Sequence, residues 1–345
     1  MKTMSNNERI KLFTDSDLDG ISCGILATVI FGDNVDITYC TPKDVDTQIN
    51  EFIKSDEYLK FNKVFITDLV IKEATGKLID EVNKYKFRML DHHRSNYVNS
   101  KYEWAIVRES YGNRKTCGAE LFWLHLKDYY FNWDDETNFE KEKVINGYIE
   151  YVRLWDTWDW TKNGEDGIYA KNLNTIFGIF GTKRFSKIIT HRLDAFSYEY
   201  ISPGECEIIE LEENRKKRYI NQKMSNVKIL NLGAYNIAYV FAENYISELG
   251  NYIAKNVKDI KFAAIINPDT SVVSLRAIEE ANVNLAEIAK TFSPKGGGHP
   301  LSAGFVFPER LSKYMVEDIF GLRMCEEAPP EKVQMSSVYG EMRNK

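Results

Sequence analysis

Asp15, Asp17 and Asp19 alternate along TDSDLDG, directly after a short apolar run and before a helix-like one. In a turn, alternate residues project towards one point, so three carboxylates spaced by two can converge on a cation. Without a cation they repel one another strongly. An acidic helix cap accounts for one such residue, not three. Three further places carry related groups. Asp68 closes the run VFIT, Asp91-His92-His93 follows FRML, and Asp156 and Asp159 sit among three tryptophans in LWDTWDW. A lone Asp after a strand is commonly a turn former. An Asp followed by two histidines at the same end of a sheet suits one imidazole as metal ligand and a second facing substrate. Either carboxylate of LWDTWDW could be a ligand, and Trp155, Trp158 and Trp160 read as a packed wall or as stacking surfaces.

Several hard oxygen donors and at least one imidazole suit Mn²⁺, with Mg²⁺ or Co²⁺ allowed, better than a thiolate-seeking metal. Two cations roughly 3.5–4 Å apart can share a carboxylate, lower the pKa of a water between them and clamp a phosphoryl group during in-line attack.

The elements that must position these groups alternate. Strand-like runs at 9–14, 35–40, 64–67 and 87–90 are separated by helix-like runs at 20–31, 45–59 and 75–84. That β-α-β order implies a parallel sheet covered by helices. In open α/β sheets ligands bind beyond the carboxyl ends of the strands, where three of the acidic places fall. Helices are expected at 116–130 and 142–155. A charged, helix-prone stretch after Pro203-Gly204 reads as a linker helix. Beyond it, strands at 227–232, 237–241, 262–266 and 272–277 and helices at 246–256 and 285–292 lead into a loop at Gly296–Gly298. The fold class is therefore α/β in two parts. Residues 1–200 form a metal-binding catalytic domain, 201–226 the linker helix, 227–320 a smaller α/β domain, and 321–345 a polar tail.

The 345 residues, 43% hydrophobic and 28% charged, suffice for a sizeable core. A net charge of −6 with no long basic run argues against a long duplex as substrate. Arg215-Lys216-Lys217-Arg218 lies among glutamates and reads as a solvated helix face. Five scattered cysteines without a CxxC pair argue against a disulfide framework and a structural zinc knuckle. No run of about 18 apolar residues and no leader-like start occur, so a cytoplasmic, membrane-free protein is expected. His125 and His191 read as packing or surface histidines.

The DxDG stretch, the strand-terminal Asp68, the DHH triplet and the downstream Asp156 resemble the four motifs of the DHH phosphoesterases. VVSLRA and IAKTFSPKGGGHPLSAGF resemble their DHHA1 substrate-binding domain, and the similarity spans roughly residues 10–310. FTDSDLDGISCGI, FITDL, LWDTWDW and YISELGN are most similar to bacterial nanoRNases of the NrnB type, oligoribonucleases that clear short RNA fragments. The resemblance implies one cation held by Asp15, Asp17 and Asp68, and another by Asp19, Asp68, His92 and Asp156, with Asp68 shared. It makes Asp17, Asp68 and His93 the catalytic set, His93 touching the phosphate. It sets Arg276, Gly296, Gly297, Gly298 and His299 against the substrate's phosphates or terminal nucleotide, with Tyr245 and Asn251 as further candidates. Physically, glycines let backbone N–H groups approach a phosphate, and Arg276 and His299 add charge-assisted donors. NrnB-like chains carry His where this one has Asp15, which leaves the cage about one charge more negative and favours harder metals.

Hydrolysis of a phosphodiester by metal-activated water follows, on short single-stranded RNA or DNA or small nucleotides, with mononucleotides as products. The layout suggests two domains closing over a cleft, and a homodimer is compatible with the chain. The rival readings are a RecJ-like exonuclease on single-stranded DNA, a small-nucleotide phosphatase or cyclic-dinucleotide phosphodiesterase, and a non-catalytic binding module that has kept the fold.

Overall fold

The computed structural model describes residues 8–131, 137–232, 235–307 and Lys313; the segment 321–345 read as a tail lies outside them. They fall into two compact units that divide between Glu210 and Leu211.

The first unit opens with β1 (Ile10–Asp15), α1 (Leu18–Phe31), β2 (Val35–Cys40), α2 (Val45–Lys54), β3 (Lys63–Thr67), α3 (Glu73–Asn83), β4 (Phe87–Asp91) and β5 (Ala105–Val107). The strands are all parallel, in the order β2-β1-β3-β4-β5. Side chains alternate across them, as the period of two demands. Ile10, Leu12 and Phe65 enter one core, whereas Phe13, Val64 and Ile66 enter the other. Both faces are therefore buried, the usual condition for a parallel sheet. The order reverses between β1 and β3, so a crevice opens there beyond the strand ends.

A hairpin of β6 (Ser110–Tyr111) and β7 (Arg114–Lys115) leads to α4 (Gly118–Tyr129), α5 (Thr137–Asp156) and α6 (Gly164–Asp194). The α1 stretch is apolar almost all round because it lies under α4, α5 and α6 as well as on the sheet. The expected strands and helices of this half appear with ends moved by a few residues, and α2 is shorter, ending at Lys54. The sequence reading missed α6 and β5. Glycines 164, 167, 178 and 181 dilute the helical pattern of α6, and Gly181, at φ 69°, breaks it. Three residues are too few for β5 to show a period.

Helix α7 (Pro203–Met224) carries the boundary between the units, and the charged side chains of its middle, Arg215, Lys217 and Arg218, are exposed. The second unit adds β8 (Lys228–Leu232), β9 (Tyr235–Phe241), α8 (Ile246–Asn256), β10 (Phe262–Asn267), β11 (Val272–Arg276), α9 (Leu285–Phe292), β12 (Gly297–His299) and β13 (Ser302–Val306). They form a mixed sheet in the order β12-β13-β11-β10-β9-β8. The glycine run expected to be a loop is instead the edge strand of a tight hairpin, Gly297 to His299 pairing with Gly304 to Ser302. Composition points to a loop there, but backbone pairing needs no side chain. Gly298 sits at φ 137°, and a β-carbon on it would meet Ala303 Cα at 2.6 Å. Among the described residues, no helix is long and apolar enough to cross a membrane.

Candidate metal centre

Three neighbouring strand ends deliver most of the acidic groups. β1 ends in Asp15 and runs into the turn holding Asp17; β3 is followed at once by Asp68; β4 ends in Asp91, with His92 and His93 next. Asp156 arrives from elsewhere, as the last residue of α5. His92 Nε2 stands at the focus, 3.2 Å from Asp68 Oδ1, 3.6 Å from Asp156 Oδ2 and 3.8 Å from Asp19 Oδ2. His93 Nδ1 lies 2.8 Å from Asp91 Oδ1 and 3.8 Å from Asp68 Oδ1. Ligand atoms of Asp19, His92 and Asp156, and of Asp68, Asp91, His92 and His93, are close enough in each group to hold an ion. Asp17 borders Asp68 and Asp19 and accepts a hydrogen bond from the Gly20 amide at 3.0 Å. Asp15 turns to the backbone of its neighbour Ser16 and belongs to neither group.

The surroundings fix these side chains. Asp19, 1% exposed, accepts from the Gly118 amide at 2.6 Å and the Ala119 amide at 2.8 Å, the first turn of α4, where helix N–H groups have no partner of their own. A β-carbon at Gly118 would meet Asp68 Cβ at 2.6 Å and Asp19 Oδ2 at 3.0 Å, so only glycine lets α4 come this close. Asp91 is bound rather than free: besides His93, it accepts from Asn96 Nδ2 at 2.9 Å. Buried Asn96 also donates to Leu69 O, and Asn99 to Ile71 O and to Asn96 Oδ1, tying the loop after Asp68 to the DHH segment. Asp68 itself has φ 52°, left-handed for a residue with a side chain, and such strain persists only where the surroundings hold it. The sequence reading missed Gly118, Asn96 and Asn99. Their only local signal is a Thr-Cys-Gly before a helix and two asparagines after DHH.

The electrostatics ask for positive charge. Burial pushes the Asp68 carboxyl well above the usual range, and the neighbouring Asp19 and Asp17 add to it. Asp156 is raised to about 8, first by burial and then by Asp19 and Asp17, and Asp17 to about 6 by burial and Asp19. Burial lowers His92, keeping its ring neutral and able to ligate. The hydrogen bond it donates to Asp91 lifts His93 to about 9. Asp68 Oδ2 and Asp156 Oδ2 are buried with no hydrogen-bond partner among the described residues. Buried carboxylate oxygens without donors are costly, and divalent cations would satisfy them. The donor set therefore fits hard divalent metals, not a thiolate-bound one: Cys23 and Cys117 are buried nearby, but burial raises both thiols far above neutrality.

In the second unit, Arg276 closes β11, its Nη2 donating to Ser247 Oγ at 2.8 Å and its Nη1 to Leu275 O at 2.9 Å. Gly250 makes room for it, since a β-carbon there would meet Arg276 Cγ at 2.7 Å. Gly296 is buried, Gly297 half-buried, and Gly298 and His299 are exposed on the hairpin. Tyr245 donates its hydroxyl to Glu212 at 2.6 Å, and Asn251 is exposed. His125 is packed against Phe65 and Tyr129, and His191 is on the surface.

No family model matches the chain. It is 28% identical to the oligoribonuclease NrnB of Bacillus subtilis (strain 168), over 90% of this chain and 75% of that protein. Among solved structures it is similar to the DHH domain of a member of a ribosomal-protein family. That pair has a TM-score of 0.52 at 14% identity, over 93% of this chain and 88% of the other. A looser likeness, TM-score 0.48 at 12% identity over 95% and 93%, is to an exonuclease RecJ bound to manganese. The fold is that of DHH-domain proteins, and the chain's sequence is similar to a nuclease.

Proposed function

We propose that this chain, DHH-like in fold and NrnB-like in sequence, is a two-metal phosphodiesterase that hydrolyses short oligoribonucleotides to mononucleotides in the cytoplasm. The observation that carries the reading is that two carboxyls beside His92, those of Asp68 and Asp156, each keep a buried Oδ2 with no hydrogen-bond partner among the described residues. Asp17 and Asp68 are assigned to one cation, with Asp15 turning from Ser16 to join them, and Asp19, Asp68, His92 and Asp156 to the other, with Mn²⁺ preferred. When bound, such a pair supplies Lewis acidity towards a phosphoryl oxygen and lowers the pKa of water.

The residues of the chain do the rest. Asp19 is oriented by the α4 amides, so it meets a cation without rearranging. His93, its Nδ1 held by Asp91 at 2.8 Å, has a half-exposed ring, and its other ring nitrogen, as N–H, is assigned to the substrate. That donor is suited to a non-bridging phosphate oxygen as charge develops there. Arg276 and the Gly297–His299 hairpin are assigned to phosphates of the bound chain. Anionic substrate then reaches an acidic protein through local donors, in keeping with short substrates.

End-labelled 2-mers to 20-mers of RNA and DNA, digested with Mn²⁺ beside pAp and cyclic dinucleotides, test the reading. Preferential loss of the shortest RNAs is expected. Hydrolysis of pAp or cyclic dinucleotides alone would replace the substrate, and no hydrolysis of any of them would overturn the assignment.

A further inference from the structure

Three indoles fan out where α5 ends, beside Asp156. The Trp155 and Trp160 rings lie 5.5 Å apart at 26°, Trp155 and Trp158 6.4 Å apart at 23°, and Trp158 and Trp160 6.0 Å apart at 36°. Trp158 is the outermost, 64% exposed. Its backbone is left-handed, with φ 64°. Both features work against stability, since an indole gains by leaving water and a residue with a β-carbon resists that conformation.

The segment is nevertheless held in place. Arg153, 4% exposed, donates from Nε and Nη2 to Glu150 at 3.0 and 2.6 Å, and from Nη1 to Asp159 at 2.8 Å. Thr157 Oγ1 donates to Arg153 O at 2.8 Å, and Thr161 Oγ1 to Trp158 O at 3.0 Å. The turn is thus braced on both sides of a ring that faces water. Packing the core does not require this, and strain kept by over-determined surroundings marks functional positions. Asp156, two residues earlier, places Oδ2 3.6 Å from His92 Nε2, so the indoles and the candidate metal pocket share one helix end.

We propose that Trp158, backed by Trp155 and Trp160, is a stacking platform for the nucleobase next to the phosphate under attack. The inference rests on the phosphodiesterase reading and adds a base-binding subsite to it. A flat ring offers every base a π-face and no hydrogen-bond pattern, so the subsite favours nucleotides over base-free phosphodiesters while tolerating any base sequence. Because the ring is already placed and braced, little side-chain freedom is lost when a base lands on it.

The test compares kcat/KM for a 5′-phosphorylated diadenylate with that for the same compound lacking its bases, in the full chain and in Trp158→Ala and Trp158→Phe. Trp158→Ala is expected to lower the ratio of the two about tenfold, the size of one base stack, and Trp158→Phe to recover most of it. An unchanged ratio in Trp158→Ala overturns the platform. Intrinsic tryptophan fluorescence supplies a second readout that does not need turnover. The diadenylate should quench the unaltered chain, and Trp158→Phe should lose that quenching. If the unaltered chain hydrolyses neither compound, the phosphodiesterase reading fails by itself. Quenching that depends on Trp158 then upholds base binding, and its absence removes the platform.

Discussion

The acidic pocket of the first unit and the glycine hairpin of the second solve opposite problems. In the first, carboxylates and imidazoles from strand ends and helix ends are gathered with like charge facing like, and two carboxylate oxygens have no donor among the described residues. In the second, Arg276 is already hydrogen-bonded to Ser247 and Leu275 O, and His299 is exposed. The first arrangement is costly without a counter-charge; the second, on the proposed assignment, would take an anion at little cost. Chemistry that must act on a poor electrophile needs the former, whereas holding a substrate needs only the latter.

The contrast predicts different failures. Asp68→Ala should lower kcat by about a thousandfold or more, the several kcal/mol a metal pair contributes, in a steady-state assay on short RNA. A modest loss would mean that Asp68 is not shared between cations. Calorimetry should next show that Mn²⁺ at a hundred times its Kd stabilises the full chain by about 2.7 kcal/mol per site, and that Asp68→Ala loses most of this. Metal-free Asp68→Asn should melt above the metal-free wild type, because a carboxyl disfavoured by burial and by Asp19 and Asp17 has gone; an equal or lower Tm would mean that Asp68 carries no such penalty.

His125 separates the pocket from burial in general. It lies in the same unit, 7% exposed, and burial lowers its pKa from 6.5 to about 3. Below pH 6.5 the unfolded chain therefore binds a proton that the folded chain refuses. This stability is complete above pH 6.5 and is lost as the pH falls towards 3. At pH 5 the loss reaches about 2 kcal/mol, which urea unfolding of His125→Gln against wild type at pH 7 and pH 5 should recover. A constant difference between the two proteins would refute it. Smallest is Arg276→Ala, expected to raise KM about tenfold with kcat within about twofold, as for one lost charge-assisted phosphate contact. A fall in kcat alone would put Arg276 among the groups acting on the transition state and erase the division.

Much of the pocket was legible in the sequence because it is locally encoded. Asp17 and Asp19 alternate within one turn and DHH is contiguous, so spacing alone signals that these groups lie together. The same alternation also included Asp15, which turns to Ser16 and stands in neither ligand group. The β-α-β alternation likewise follows from short runs with a clear period. Asp68 carried no such signal, being an ordinary residue after a strand until β3 is known to lie between β1 and β4. The α6 helix was hidden by its glycines, and β12 by having almost no side chains to pattern.

The residue types at the strand ends, and hence the kind of ion they suit, were settled by the order of amino acids. Only the fold decided that Asp156 meets His92, that Asp91 braces His93, and that Gly118 lets α4 reach Asp19. These are contacts between segments from a couple of residues to about a hundred apart, and the longer ones are set by strand order and helix packing, which no local spacing encodes.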